Sequence, residues 1–362
     1  MSRLTRYILS EISLPLIFGI FAFSFIIFGT TVMVGVVRDA VEYSIPVLDV
    51  VYILLFQLPY VLNISLPMGM LFASLITFFR LNADSEIIAL RASGVSLSEL
   101  IKPLIIIGLL TSIFGILMSE FIVPKSMTLS SSIVAKHQFL QSPKLKKNIN
   151  FTEFDKGICK RIVNIIEIKD SKLKDITIAE FKAGYLSSIM KAKTGRWDEQ
   201  EGWQFFDGVI HYVSQKQPLQ VMSVTFDIQK VNFKVSPLDF IKRKRQVIEL
   251  TASELKERIK EKKILGLDVR RDIMDYHIKF ALSFACLIYA LLGLPLGVRP
   301  QRSSSAMGIG ITLITIFIYY MLISIGFALG QSNYLHPIVA IWFPNLVIGA
   351  VSFILLSRAV KQ

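Results

Sequence analysis

At 362 residues the chain has room for two or three soluble domains, but 53% of it is hydrophobic, only 19% is charged, and its mean hydropathy is +0.56. An ordinary soluble domain carries about a quarter charged residues, so these values exclude an all-soluble protein and describe a membrane protein with polar mass attached. The formal net charge of +13 would suggest nucleic acid for a soluble chain; its meaning here depends on where it lies.

About 20 apolar residues cross the hydrocarbon core as a helix, so charge-free runs map the spans. The first covers residues 12–37. Arg3 and Arg6 precede it, as basic residues precede a secretory signal. A signal core, however, has about 7 to 15 apolar residues and closes on small side chains, whereas this run is longer and closes on Val36-Val37-Arg38. It is read as a retained helix. The second run, 50–79, contains Pro59, Asn63 and Pro67, compatible with a hinge or with a static kink. The third, 103–119, continues past Glu120 through Phe121, Ile122 and Val123.

The loop between the second and third runs carries D-S-E-I-I-A-L-R-A-S-G at 84–94. It reads as a short capped helix within about 82–94, with Asp84 or Asn82 as N-cap. Ile87 and Leu90 form an apolar edge, Glu86 stands near the positive end of the helix, and Gly94 supplies the left-handed stop. Composition allows either a docking element or an interfacial connector.

The polar region that follows reads as β. Segments 161–169, 175–182, 188–197, 203–214 and 220–233 are short, rich in β-branched and aromatic residues, and punctuated by Gly184, Gly195, Gly202 and Gly208. In the last, Val224, Phe226 and Ile228 alternate with Thr225, Asp227 and Gln229, the pattern of a strand with one buried face. Regularly spaced short strands predict a sandwich or jelly roll, whose inward face is either ordinary core or a lipid-holding groove. The basic run Lys242-Arg243-Lys244-Arg245 suits anionic headgroups or a solvated loop. A helix at 254–263, capped by Thr251 or Ser253 and ended by Gly266, returns the chain to the membrane.

Apolar character resumes at 280–298, and nothing charged occurs from 303 to 357, too long for one crossing. The turn-rich stretch from Gly330 to Pro337 divides that run. The fold class predicted is therefore an α-helical membrane protein with six spans, three and three, around an inserted all-β domain. Glycines at 308, 310, 326 and 330 permit close helix approach, either for fixed packing or for sliding.

Basic residues in short loops orient the chain. Arg3, Arg6, Arg80, Arg91, Lys102, Arg299, Arg302, Arg358 and Lys361 fall on one side, against Arg38 alone in the opposite short loops. Both termini are thus expected in the cytoplasm and the β domain outside, carrying most of the net charge. That placement excludes nucleic acid as a partner.

Catalytic patterns are missing from the sequence. The four His are scattered without metal spacing, and Cys159 and Cys286 fall in different environments, so neither a metal, a cofactor nor a disulfide is expected. No P-loop occurs either. Gradient-driven transport would need ionisable groups deep in the spans; Glu120, near a helix end, is the one candidate, which favours energy from a partner.

Four segments carry a resemblance. D-S-E-I-I-A-L-R-A-S-G (84–94), G-R-W-D-E-Q-E-G-W-Q-F-F-D-G-V (195–209), L-L-G-L-P-L-G-V-R-P-Q-R (291–302) and H-P-I-V-A-I-W-F-P-N (336–345) are similar, in order and in side of the membrane, to the lipopolysaccharide export permeases of the LptF/LptG family. The resemblance implies transmembrane helices 1–3 over residues 1–124, a periplasmic jelly roll with helical connections over 125–275, and helices 4–6 over 276–362. It implies a non-catalytic subunit of an ABC transporter in the inner membrane, partnered by a cytoplasmic ATPase dimer, by a second permease of the same family or another copy of itself, and by a periplasmic bridge protein with a similar jelly roll. The cargo implied is lipopolysaccharide or a related glycolipid. The loop helix becomes the coupling helix, with Glu86 engaging the ATPase and Asp84, Arg91 and Gly94 in support. Spans one and five become lateral gates. Arg38, at the outer end of span one, is placed to meet a lipid phosphate or to pair with Asp39 or Glu42. The competing classes are a membrane-anchored sensor or envelope-assembly factor with no ATPase, and a gradient-driven transporter.

Overall fold

A computed structural model describes residues 3–141, 146–155, 158–169, 172–182, 185–198, 202–213, 221–231, 246–298 and 305–361. The basic run 242–245 and Arg299 and Arg302 lie outside the described residues. The chain divides into a helical unit (Met1–Ile133, Gln246–Lys263 and Leu267–Gln362) and a second unit (Val134–Arg245 with Ile264–Gly266).

In chain order the helices are α1 (Arg3–Glu42), α2 (Val47–Ala83), the short α3 (Glu86–Ala92), α4 (Leu97–Gln138), α5 (Ala252–Ile264), α6 (Arg270–Gly297), α7 (Gly308–Gln331) and α8 (Pro337–Ala359). All except α3 and α5 are long and apolar enough to cross a membrane, as the charge-free runs require of a multi-pass membrane protein. The second span is one continuous helix that contains Pro59 and Pro67 and extends to Ala83. In α1 and α4 a π-turn interrupts the α-helix, at Phe28–Val32 and Met118–Ile122.

Lipid offers no hydrophobic drive between helices, so close packing and buried polar contacts hold them together. Ser24 and Ser65 share a buried hydrogen bond of 2.7 Å between α1 and α2, and the Ser74 hydroxyl donates to the Ala290 carbonyl at 2.8 Å, joining α2 to α6. Asn345 of α8 accepts from the Tyr319 hydroxyl at 3.0 Å and donates to the Ala281 carbonyl at 2.7 Å, which ties α6, α7 and α8 at one point. Each such bond contributes on the order of 0.6 kcal/mol in a bilayer. In α7, Gly326 and Gly330 abut Ala340 and Gly308 abuts Phe79, so close helix approach accounts for these three, whereas Gly310 faces open space.

Glu120 has a structural partner. Its Oε2 accepts the backbone N–H of Ala252 at 2.7 Å, the first residue of α5. That helix starts with a reciprocal capping box: Glu254 N–H to the Thr251 hydroxyl at 3.2 Å, and Thr251 N–H to the Glu254 carboxylate at 2.9 Å, an arrangement that contributes about 1 kcal/mol. Thr251, rather than Ser253, is therefore the cap. Lys279 of α6 donates to the Leu250 carbonyl and to Ser119 in the π-turn of α4. A π-turn displaces backbone carbonyls from their usual intrahelical donors, and here the ammonium supplies one.

The second unit contains a single antiparallel sheet in the order β1 (Lys146–Asp155), β2 (Ile158–Lys169), β3 (Lys172–Lys182), β4 (Tyr185–Asp198), β5 (Gly202–Val213) and β6 (Val221–Val231). This inserted β domain is consistent with the jelly-roll-like architecture expected. Strand β1 was not expected; its register shifts between Glu153 and Phe154, which breaks the alternation that would reveal it. Gly195 and Gly208 lie inside β4 and β5, as the predicted segments have them.

The sheet is creased. Asp175, Lys193, Asp207 and Asp227 stand in successive strands, and the pairing register skips each of them. Asp175 and Asp207 adopt positive φ, 50° and 51°, a conformation Asp tolerates better than most residues. The buried face changes parity there: Leu173 and then Ile176 in β3, Ala192 and then Gly195 in β4. One unpaired residue in each of these strands interrupts the ladder along one line without shifting its register, and Val163, Ile165, Ile176, Ile178, Trp203 and Phe205 are buried in one cluster. Trp203 and Phe205 stack with centroids 6.2 Å apart.

Candidate functional site

The loop helix α3 is the most exposed ordered feature of the sequence-predicted site. It is shorter than expected, and its N-cap differs. Asp84 is the C-cap of α2, and Ser85 turns the chain with φ 59° before Glu86 begins the helix; no side chain caps α3. The C-terminal stop is as the sequence predicts. Gly94 takes φ +82°, its N–H bonds the Arg91 carbonyl, and the Val95 N–H bonds the Leu90 carbonyl, both at 3.0 Å, the two bonds of a Schellman motif.

One face of α3 is anchored and the other presented. Ile87 is 1% exposed within a cluster that includes Ile8 and Ile12 of α1, Leu81 of α2 and Leu97 of α4, whereas its neighbour Ile88 is 63% exposed. Asp84, Arg91 and Gly94 are exposed as well. Glu86 is half-buried, and its Oε2 accepts the Tyr7 hydroxyl of α1 at 2.6 Å. One turn further along α1, Glu11 forms an ion pair with Arg80, the last-turn arginine of α2. The sequence reading missed Tyr7 and Glu11. The available signal was two polar residues four apart, hence on one helix face, at the start of an apolar run.

The structure does not bring Arg38 into this constellation. It lies in α1 beyond the π-turn and is exposed. Among the described residues no ion pair holds it to Asp39 or Glu42.

In the β unit the inner face divides. Along the paired row Val163, Ile178, Met190, Ile210, Val224, exposure rises from 1% at Val163 to 39% at Val224. Tyr212 and Met222, paired in the next row, are exposed too. In these rows the β2–β4 side is packed core, and the Tyr212, Met222 and Val224 end leaves an apolar strip open among the described residues. Ile228, expected on a buried face, is likewise exposed. A cavity of about 750 Å³ follows the crease, its walls mixing Lys191 and Lys193 with Asp175, Asp207 and Asp227. Among the described residues no His, Cys, Asp or Glu group is arranged to hold a metal.

The family segments occupy packing-critical places. Asn345 joins three helices, Trp203 and Phe205 fill the β core, and Gly293 sits against Ser74. A family model described as lipopolysaccharide export system permease LptF/LptG matches residues 6–358. No curated protein is found to match the chain.

Proposed function

The chain belongs to the lipopolysaccharide export system permease LptF/LptG family, and from that membership we propose that it is one of two permeases in the membrane part of an inner-membrane ABC transporter. A cytoplasmic ATPase dimer drives it. Both termini and α3 face the cytoplasm and the β domain faces the periplasm, as the basic residues of the short loops require. Lipopolysaccharide, or a related glycolipid, leaves the membrane between α1 and α7 of neighbouring permeases. Its acyl chains then pass along the apolar strip of Tyr212, Met222 and Val224 towards a periplasmic bridge protein of similar fold. Arg38, exposed at the outer end of α1, meets a lipid phosphate on the way.

The observation that carries the reading is α3. A short helix that buries Ile87, exposes Ile88 beside it and holds a carboxylate at its first residue matches an ATPase groove rimmed by basic side chains. Glu86 is the docking residue, Asp84 and Arg91 flank it, and Gly94 fixes where the helix ends. Glu86→Arg is expected to reduce the ATPase recovered with the detergent-extracted permease by more than about tenfold, the effect of roughly 1.4 kcal/mol, and to stop lipid export. Undiminished recovery together with intact export would sink the reading in favour of a sensor or assembly factor without an ATPase.

A further inference from the structure

We infer that Tyr7 of α1 is a positioning residue that fastens the first span to the docking helix, while Glu11 one turn on fastens the same span to the last turn of α2, so that displacement of α3 is passed to α1 through the Tyr7–Glu86 contact. The inference rests on the reading of α3 as the ATPase-docking element.

Tyr7 and Glu11 stand four apart and so share a face of α1. Ile8 and Ile12, one residue on from each, form the adjoining stripe. Tyr7 meets the first residue of α3, and Glu11 meets the last turn of α2. The Tyr7 hydroxyl donates to Glu86 Oε2 at 2.6 Å, and Glu11 pairs with Arg80. Ile8 and Ile12 lie fully buried in the cluster that contains Ile87 and Leu81. The carboxylate that begins α3 is therefore held by a different span from the two that flank it in sequence. A hydrogen bond to an ionised acceptor is among the stronger neutral-donor contacts, and one phenol on Oε2 leaves the carboxylate further acceptor capacity for a basic side chain of the partner. Further along, α1 is joined to α2 by the Ser24 and Ser65 hydroxyls. A shift of α3 thus reaches the gate helix through the Tyr7–Glu86 bond as well as through α2.

Two measurements on the full-length permease in lipid nanodiscs test this. Without ATPase, Tyr7→Phe is expected to raise amide exchange of residues 86–93 by roughly tenfold, the loss of one charge-assisted hydrogen bond; unchanged exchange overturns the inference. With ATPase bound, the same variant is expected to retain the wild-type amount of ATPase while lipid released per ATP hydrolysed falls several-fold. A wild-type ratio overturns the inference, as does loss of the ATPase itself, since Tyr7 would then belong to docking. A misfolded variant would lower release and hydrolysis together, so the ratio isolates coupling. Failure of the docking reading shows separately, as full ATPase retention by Glu86→Arg, while the exchange measurement still reports on the Tyr7 contact.

Discussion

Gly293→Leu is expected to prevent accumulation of folded permease. A Cβ at this position of α6 would stand 2.0 Å from the Ser74 hydroxyl oxygen and 2.8 Å from the Ser74 carbonyl carbon. The hydroxyl cannot swing aside cheaply, because it donates to the Ala290 carbonyl in a site with no solvent exposure. The backbone of α2 must therefore move, and that separation also opens the contact of Phe78 with Gly297 one turn on. Overpacking strain of 1–3 kcal/mol, added to the lost hydrogen bond and loosened packing, amounts to about 4 kcal/mol. Thermal unfolding in detergent and the yield of monodisperse protein measure it. Gly310→Ala is the control, since nothing lies within 4 Å of its added methyl. A Gly293→Leu protein that melts with the wild type would disprove the account.

Asp272→Asn is the second large effect, centred on the junction of α5 and α6. Asp272 is 2% exposed and accepts from Arg258 at 3.1 Å and from Lys262. Neutralising it leaves two cations of α5 facing an amide in place of a carboxylate. Breaking a wholly buried pair costs 3–5 kcal/mol; the partial exposure of Arg258 and Lys262 reduces this to about 2 kcal/mol. The expected results are a thermal midpoint lower by roughly 5 °C and faster proteolysis within residues 252–266. Asp268→Asn, whose carboxylate is largely exposed, is expected to be near neutral. Equal behaviour of the two variants would place the stability of this junction elsewhere.

Both predictions concern contacts between different helices, and that is where the sequence reading stops. The break between the fifth and sixth spans at Gly330 to Pro337, the stop at Gly94 and the β character of 161–169, 175–182, 188–197 and 203–213 were all legible, because each is a local preference. The cap of α3 was misassigned for the same reason: Asp84 and Asn82 have cap chemistry, but α2 continues to Ala83 and claims them for its own end. Strand β1 was hidden by its bulge, and the crease by the fact that Asp175, Lys193, Asp207 and Asp227 each resemble ordinary polar residues until the strands are aligned.

Six spans, their expected orientation and an inserted β domain follow from the sequence alone, since transfer of apolar side chains from water and strand alternation are summed residue by residue along the chain. Only the tertiary structure decided that Glu86 is held by Tyr7, 79 residues away, that Glu120 accepts the first N–H of α5, and that, among the described residues, Tyr212, Met222 and Val224 lie open while Trp203 and Phe205 are buried. A hydrogen bond or a packed row depends on which helices and strands become neighbours, and no spacing within one segment records the partner that another segment brings to it.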